Sequence, residues 1–528
     1  LLAALPLAAL QANAAPKITQ VNRNGATISF GADRDTLVFP GECVAVTWQV
    51  ERVNALWLND KSVVGSGQQE QCLADQNPAL HLDFRDGTSR TYTLYIERLY
   101  RQPLAAVCWL IVIAALSSAA YSMLGARGLL VFLLLMVLGP MLRVTVNAGS
   151  NFIDHNNYAG MALIKGDLLG VLPPHFLYHL TVIALHSIIP GLDIENASFL
   201  LMLAAHAALA LVVYTLLQYS IGSDAPPGTR RSLIVAGLTL ALFLVAAIQV
   251  NPDGAYTAVI RLNTYYSPTL NLLKPLAAAL FLCIIKCLCE PSPPIRLGIT
   301  IALLVMLATL TKPSYTISIL PAVGLILAVE VARRFLEKPA SVFPLPSREK
   351  NIILYLLLPA LLVLGYQYAS FYISGQASVY KSLAYSANQP VKILFAPFEL
   401  LTVWWHVPPA RIIPDLIASI LFPALVYGVY FQQARRDLML NLAWLTFIIG
   451  QSYTYLLVEN VQPSSGNLTW SGQITLLILF VAAVGFVLRQ NTRWLSNAER
   501  SRLDWRFGLC ALVFLLHLAS GLIMLLAI

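Results

Sequence analysis

Asn151–Gly191, NFIDHNNYAGMALIKGDLLGVLPPHFLYHLTVIALHSIIPG, is the stretch on which the fold turns. It holds Asp154, Asp167 and four of the chain's eight histidines, His155, His175, His179 and His186. Ionisable side chains at a membrane edge are costly unless they serve something. Its second half, 173–190, is apolar enough to be taken for a membrane crossing. Whether it crosses sets the side of every later segment.

The chain of 528 residues is 58% hydrophobic and only 11% charged. Soluble domains carry roughly 25% charged residues, so this composition predicts a polytopic membrane protein with the lipid bilayer as its solvent. The net charge of +8 comes mostly from residues between hydrophobic spans, as topology alone requires. No basic, aromatic-interleaved module points to nucleic acid.

Twelve hydrophobic spans follow Pro103, at about 104–122, 128–145, 199–218, 232–250, 268–288, 295–311, 314–333, 351–373, 411–432, 438–457, 473–489 and 507–527. With the N-terminal part outside, the basic turns all fall on the cytoplasmic side. They are Arg127, Arg230-Arg231, Lys286 with Arg296, Arg333-Arg334 through Lys350, Arg435-Arg436, and Arg489 through Arg506. This agreement with the positive-inside rule holds only if 173–190 does not cross. Pro173-Pro174 opens that run, and His175, His179 and His186 share one face at 100° per residue. It is read as a helix lying in the outer interface, which leaves the outer loop 146–198 carrying the candidate site.

The N-terminal hundred residues differ. Residues 1–15, apolar and ending in Ala12-Asn13-Ala14, read as a signal-peptide remnant. In 17–100, short β-branched and aromatic runs (ATISFGA, TLVF, CVAVTWQV, ALWLN, LHLDF, RTYTLYIERLY) alternate with turns at Asn24-Gly25, Pro40-Gly41, Asn59-Asp60 and Asp86-Gly87. That spacing predicts about seven strands in a small antiparallel all-β sandwich. In an oxidising compartment Cys43 and Cys72 are expected to form a disulfide. The CVAVTW segment, with Trp48 five residues after Cys43, resembles immunoglobulin-like domains, with a shorter cysteine interval. The sandwich reads as a module binding an envelope protein or a glycan. The Cys287-Leu-Cys289 pair reads either as a metal pair or, more simply, as small apolar residues ending a helix.

On the outer face the topology gathers few polar residues. The 146–198 loop supplies Asn151, Asp154, His155, Asn156, Asn157, Lys165 and Asp167, and 251–266 supplies Asp253, Arg261, Tyr265 and Tyr266. Lys274 and Lys312 stand near outer helix ends, and 374–411 carries Lys381, Tyr385, Lys392, Glu399, Trp404, Trp405 and His406. Such a face suits group transfer from a lipid-linked phosphate. A carboxylate takes the proton of an acceptor hydroxyl, cations stabilise the departing phosphate, and aromatic rings suit both sugar faces and the interface.

The order of these residues resembles the GT-C superfamily of polyprenyl-phosphate-dependent glycosyltransferases. There an acidic residue opens the first outer loop just after a membrane helix. A D-x-x-x-Y-x-x-x-A pattern, a G-D/N and a Pro-Pro juxtamembrane segment with Leu and Tyr follow. This chain has Asp154-His-Asn-Asn-Tyr158-Ala159, Gly166-Asp167 and Pro173-Pro174-His-Phe-Leu-Tyr178. The resemblance covers about 128–345. It implies an α-helical, GT-C-like membrane domain over 103–528 of about twelve helices, in an inner (plasma) membrane of bacterial type. It also implies sugar transfer, with inversion, from a polyprenyl-phosphate donor to a lipid, glycan or protein outside.

In that reading Asp154 and Asp167 are the catalytic candidates. His155, Tyr158, His175, His179, Arg261, Lys274, Lys312 and Lys381 are the substrate-binding ones. No cofactor is called for, and a divalent ion, Mg or Mn, is compatible but not indicated. Each residue has a plainer reading beside it. Asp154 is equally a solvated loop carboxylate, Asp167 a helix N-cap, and the lysines and Arg261 snorkelling cations. The histidines could form a metal stripe, an i, i+4 pair being able to bind zinc, or need no metal at a wet interface. In related chains reading D-F-x-x-H, the register here gives Asn151-Phe152-Ile153-Asp154-His155, with Asn in the acid's place. A non-catalytic GT-C-like envelope protein is therefore the first alternative, and a transporter of a lipid-linked glycan the second.

Overall fold

The computed structural model describes residues 17–21, 25–34, 36–37, 43–72, 77–98, 103–222, 228–248, 265, 267–337, 346–370, 392–459, 468–492 and 504–526. The proposed signal remnant, Arg261 and Lys381 lie outside them. The chain divides into two compact units, Leu1–Ala119 and Ala120–Ile528.

Among the described residues the first unit holds ten strands: β1 (Lys17–Val21), β2 (Thr27–Ala32), β3 (Thr36–Leu37), β4 (Cys43–Glu51), β5 (Val53–Leu58), β6 (Lys61–Ser62), β7 (Ser66–Cys72), β8 (Ala79–Phe84), β9 (Ser89–Thr93) and β10 (Glu97–Arg98). Two antiparallel sheets, ordered β1-β2-β4-β7 and β6-β5-β8-β9, share one apolar core. Burial alternates along β4 and β8, so Val44, Val46 and Trp48 face Leu80, Leu82 and Phe84 across that core. Asn59 and Asp60 both take positive φ, the geometry a two-residue hairpin of right-handed twist demands.

β7 reads SGQQEQC and has no apolar alternation, so periodicity does not announce it. It is held by its backbone ladder to β4, and its Gly67 lies directly opposite Trp48. A Cβ at Gly67 would stand 2.6 Å from the indole ring, so only glycine lets that ring lie flat on the strand. Cys43 and Cys72 form the expected disulfide. They are facing residues of β4 and β7 within one sheet, whereas the immunoglobulin pattern joins two sheets. That detail of the resemblance therefore does not hold here. The bridge spans 29 residues, worth roughly 3–4 kcal/mol in the chain-entropy picture.

From Pro103 the chain is mainly helical: α1 (Pro103–Ala148), α2 (Ser150–Lys165), α3 (Leu168–Val171), α4 (Leu177–Ile188), α5 (Ile194–Ile221), α6 (Thr229–Leu244), α7 (Pro268–Cys289), α8 (Ile295–Thr311), α9 (Thr316–Glu337), α10 (Ser347–Tyr368), α11 (Pro409–Val429), α12 (Leu438–Leu456), α13 (Thr469–Gln490) and α14 (Trp505–Leu526). Among the described residues eight helices are long and apolar enough to cross a bilayer. This is a multi-pass membrane protein. The expected spans 104–122 and 128–145 both lie in α1, which breaks at Gly125 (φ +65°) into two helical stretches. α6 and α8 have 16 and 17 residues, and α12, with 19, carries too many polar side chains to qualify.

Side-chain contacts sort the turns of the second unit into two ends. At one, Arg231 donates to the Gln218 side chain and to the Gly222 carbonyl, and Lys286 lies 5.4 Å over the Tyr219 ring. Arg348 reaches the Leu288 carbonyl at 3.1 Å and, with Arg334, pairs with Glu330 and Glu349. Arg489 pairs with Asp437 within electrostatic range of Cys289, and Arg506 stacks 5.7 Å over Tyr430. Arg127 stands over Tyr214, toward the same end. The basic turns predicted to lie together do meet.

At the other end, Lys312 contacts the heads of α7 and α13 through Thr269 and Trp470. Gln367 at the tail of α10 donates to the Thr309 and Pro174 carbonyls at 2.8 and 3.4 Å. The segment 146–198 is here too, tied by Arg143 to Asn196 at 2.5 Å. It is not a loop, because α2, α3 and α4 fill most of it. α4 has 12 residues, about 18 Å of helix against a hydrocarbon core of about 30 Å. It is too short to cross.

Candidate functional site

The site starts with α2. Phe152, Asn156 and Ala159 recur at helical spacing and are buried, so one face of α2 packs inward and fixes its rotation. His155 and Tyr158 flank that face half-buried, while Asp154 and Asn157 are exposed. Gly166 ends the helix at φ +64°, a conformation that favours glycine. Asp167 then caps α3, its carboxylate accepting from the Gly170 N–H at 2.8 Å. The plainer reading of Asp167 is thus the one its geometry displays.

Pro173-Pro174 keeps the chain out of helix until Leu177. His175 therefore precedes α4, and the three histidines do not form one helical face. His179 is fully buried, and His186 turns its Nδ1 to the Leu192 carbonyl at 2.6 Å. Tyr178 is fully buried as well. Its hydroxyl donates to Asn156 Oδ1 at 2.9 Å and shares a 2.6 Å bond with Ser198 Oγ, so it clasps α2, α4 and α5. Tyr178→Phe removes both bonds and strips a partner from two buried groups. A loss of about 2–3 kcal/mol is expected, read as a lower unfolding temperature of the purified protein with unchanged helix content. An unaltered unfolding temperature would show that the clasp contributes nothing.

His155 Nδ1 lies 2.9 Å from His179 Nε2, with the rings 5.0 Å apart. Burial, then the charges of His179 and Lys312, hold the His155 imidazole well below its ordinary pKa. Burial and then Lys312 do the same to His175. Burial takes His179 down to about 3, against a backbone hydrogen bond to Phe176. All three are neutral at pH 7, so each offers one N–H donor and one acceptor. Burial raises the Tyr158 phenol, the Asp154 carboxylate adding to it.

Lys312, between α8 and α9, is 9% exposed. Its ammonium lies 3.4 Å from Thr269 Oγ1 and 4.7 Å over the Trp470 ring. Burial brings its pKa down to about 7, Glu459 opposing. Lys274, on α7, is 2% exposed, bonded to Asn271 Oδ1 at 3.0 Å and set 5.1 Å from the Tyr265 ring.

Of the residues picked from sequence, the fold therefore brings His155, His175, His179, Tyr158 and Lys312 together. Lys274 forms a neighbouring cluster with Asn271 and Tyr265. Asp154 stays on the exposed flank of α2, and Asp167 is committed to its cap. Thr269, Gln367, Glu459 and Trp470 were not picked. Gln367, an amide inside an apolar run, was the one with a signal. The others come from remote turns and carry none.

The site holds little positive charge when empty and gains it when an anion arrives, because an anion raises the pKa of each neighbouring base. It can bind a phosphate through Lys312 and imidazole N–H groups. Among the described residues no three His, Cys, Asp or Glu side chains converge into a group that could hold a metal ion. In comparison with known proteins, no family model and no curated protein matches the chain.

Proposed function

We propose that this chain is a membrane glycosyltransferase of GT-C type. It moves a sugar from a polyprenyl-phosphate donor to an extracytoplasmic acceptor, which is a lipid, a glycan or a protein. The observation that carries the reading is that Lys312 lies within electrostatic range of His155 and His175, with His155 bonded to His179, at the end of the helical unit opposite the basic turns. By the positive-inside rule that end faces away from the cytoplasm. Lys312 and the imidazole N–H groups receive the donor phosphate, where fixed donors stabilise charge that grows as the leaving group departs. Asp154 accepts the proton of the acceptor hydroxyl. The acceptor oxygen bonds to the anomeric carbon from the face opposite the phosphate, the anomeric C–O bond breaks, and polyprenyl phosphate leaves with the electron pair. The configuration inverts. The N-terminal sandwich binds an envelope protein or a glycan.

A second reading is favoured by one observation. Asn151 stands where the D-F-x-x-H pattern has its acid, and its Oδ1 is buried without a hydrogen-bond partner. A non-catalytic relative would keep the phosphate site and lack the base. The test is transfer by purified protein in vesicles given polyprenyl phosphate carrying a radiolabelled sugar. Label appearing on acceptor, with bare polyprenyl phosphate released, is the expected result. Label crossing the bilayer without transfer would make the chain a transporter. Binding without either would leave the non-catalytic reading.

A further inference from the structure

Behind Lys312, between α12 and α13, lies a group of neutral polar side chains that the fold leaves unsatisfied. Gln451, Thr454 and Ser471 are 4%, 5% and 0% exposed. The Thr454 and Ser471 hydroxyls and both amide atoms of Gln451 are buried without a well-aligned hydrogen bond, although the Tyr455 hydroxyl approaches the Gln451 amide. Each such atom costs about 1–3 kcal/mol when it stays unmatched. Four together, buried between two helix ends, point to a polar occupant.

Two glycines create the arrangement. A Cβ at Gly472 would stand 2.2 Å from Gln451 Oε1 and 3.4 Å from Thr454 Oγ1, and one at Gly450 would stand 2.8 Å from the Ser471 carbonyl. These positions let α12 and α13 approach until their polar groups face one another. The group begins where the cationic site ends, because Ser471 follows Trp470 and Lys312 sits 4.7 Å over the Trp470 ring.

We infer that Gln451, Thr454 and Ser471 receive the hydroxyl groups of the donor's sugar while Lys312 holds its phosphate. This rests on the function proposed above. The chemistry fits a neutral polyol: an amide offers a donor and an acceptor side by side, and two hydroxyls can do either. None of the three carries charge, so they discriminate among sugars without competing for the phosphate. A site built to hydrogen-bond a hydroxyl rejects an analogue lacking it far more strongly than an apolar pocket does.

The experiment measures binding of polyprenyl phosphomannose, phosphoglucose and phosphogalactose, and of bare polyprenyl phosphate, to the purified full chain. Gln451→Leu and Thr454→Val are each expected to weaken binding of the preferred glycosyl lipid about tenfold, roughly one hydrogen bond, and to leave bare polyprenyl phosphate unchanged. Lys312→Met should weaken both lipids. Should Gln451→Leu fail to fold, Ser471→Ala, which removes a single oxygen, takes its place. Wild-type affinity for the glycosyl lipid in folded Thr454→Val and Ser471→Ala, with Lys312→Met still weakening both, would mean that water fills the group. That result would overturn the sugar assignment and leave the transferase reading standing. A wild-type chain that binds none of the lipids overturns both.

Discussion

Asp154→Asn is expected to lower sugar transfer by about a thousandfold, within the range general-base catalysis contributes, while the protein folds as before. The second half follows from exposure. Asp154 lies on the outer flank of α2, away from the packed face of Phe152, Asn156 and Ala159. Exposed substitutions of this kind usually move stability by no more than about 0.5 kcal/mol. Asn has the same shape and can accept a hydrogen bond, but it cannot take a proton at neutral pH. Binding of the donor should be unchanged, because the phosphate is held by Lys312 and the imidazoles. A fall in transfer rate with unchanged donor affinity thus separates a lost base from a damaged site. Asp154→Asn protein that transfers at the wild-type rate would remove Asp154 from the mechanism.

Lys312→Met should cost about a hundredfold in donor affinity, a charged hydrogen bond being worth about 1.5–3 kcal/mol. It should also abolish a pH dependence that the native protein shows. Burial holds Lys312 near 7, so the empty site loses its proton as pH rises past neutrality. An anion binds the protonated form. Donor affinity is therefore full below about pH 7 and falls toward tenfold per pH unit above it, one proton being taken up for each anion bound. Lys312→Met leaves a weak, flat profile over the same range. Stability has the opposite sign. Between the folded value near 7 and the ordinary lysine value the unfolded chain binds the extra proton, so ligand-free protein becomes more stable as pH rises through that window. Affinity that stays constant from pH 6 to 9 in the native protein would take the phosphate away from Lys312.

Much of the architecture was legible because it rests on composition and period. Strands β2, β4, β5 and β8 announce themselves by alternation, and Asn59-Asp60 by turn chemistry. The polar strand β7 does not, because its stabilisation is a backbone ladder that any side chains can supply. The apolar runs located the helices. They also place a turn near Arg127, and α1 breaks beside it, at Gly125 with φ +65°. The site was legible in part for a related reason. His155, His179 and Lys312 were named because charge and imidazole are conspicuous in an apolar chain. Thr269, Trp470 and Glu459 lie in distant turns, and their residue types are unremarkable at helix ends.

The sequence by itself determined that this chain lives in a bilayer, that it carries a β-rich leader unit with a disulfide, and that its basic turns share one end. Those properties follow from hydropathy, period-2 alternation and charge placement, all of which are local. Only the tertiary structure decided that α2 and α3 make the first half of 146–198 helical, that Asp167 caps a helix, and that an imidazole pair lies within electrostatic range of a buried lysine. These depend on contacts between residues up to hundreds of positions apart. Such contacts are chosen by packing and by the need to satisfy buried polar groups, and no single stretch of sequence records them.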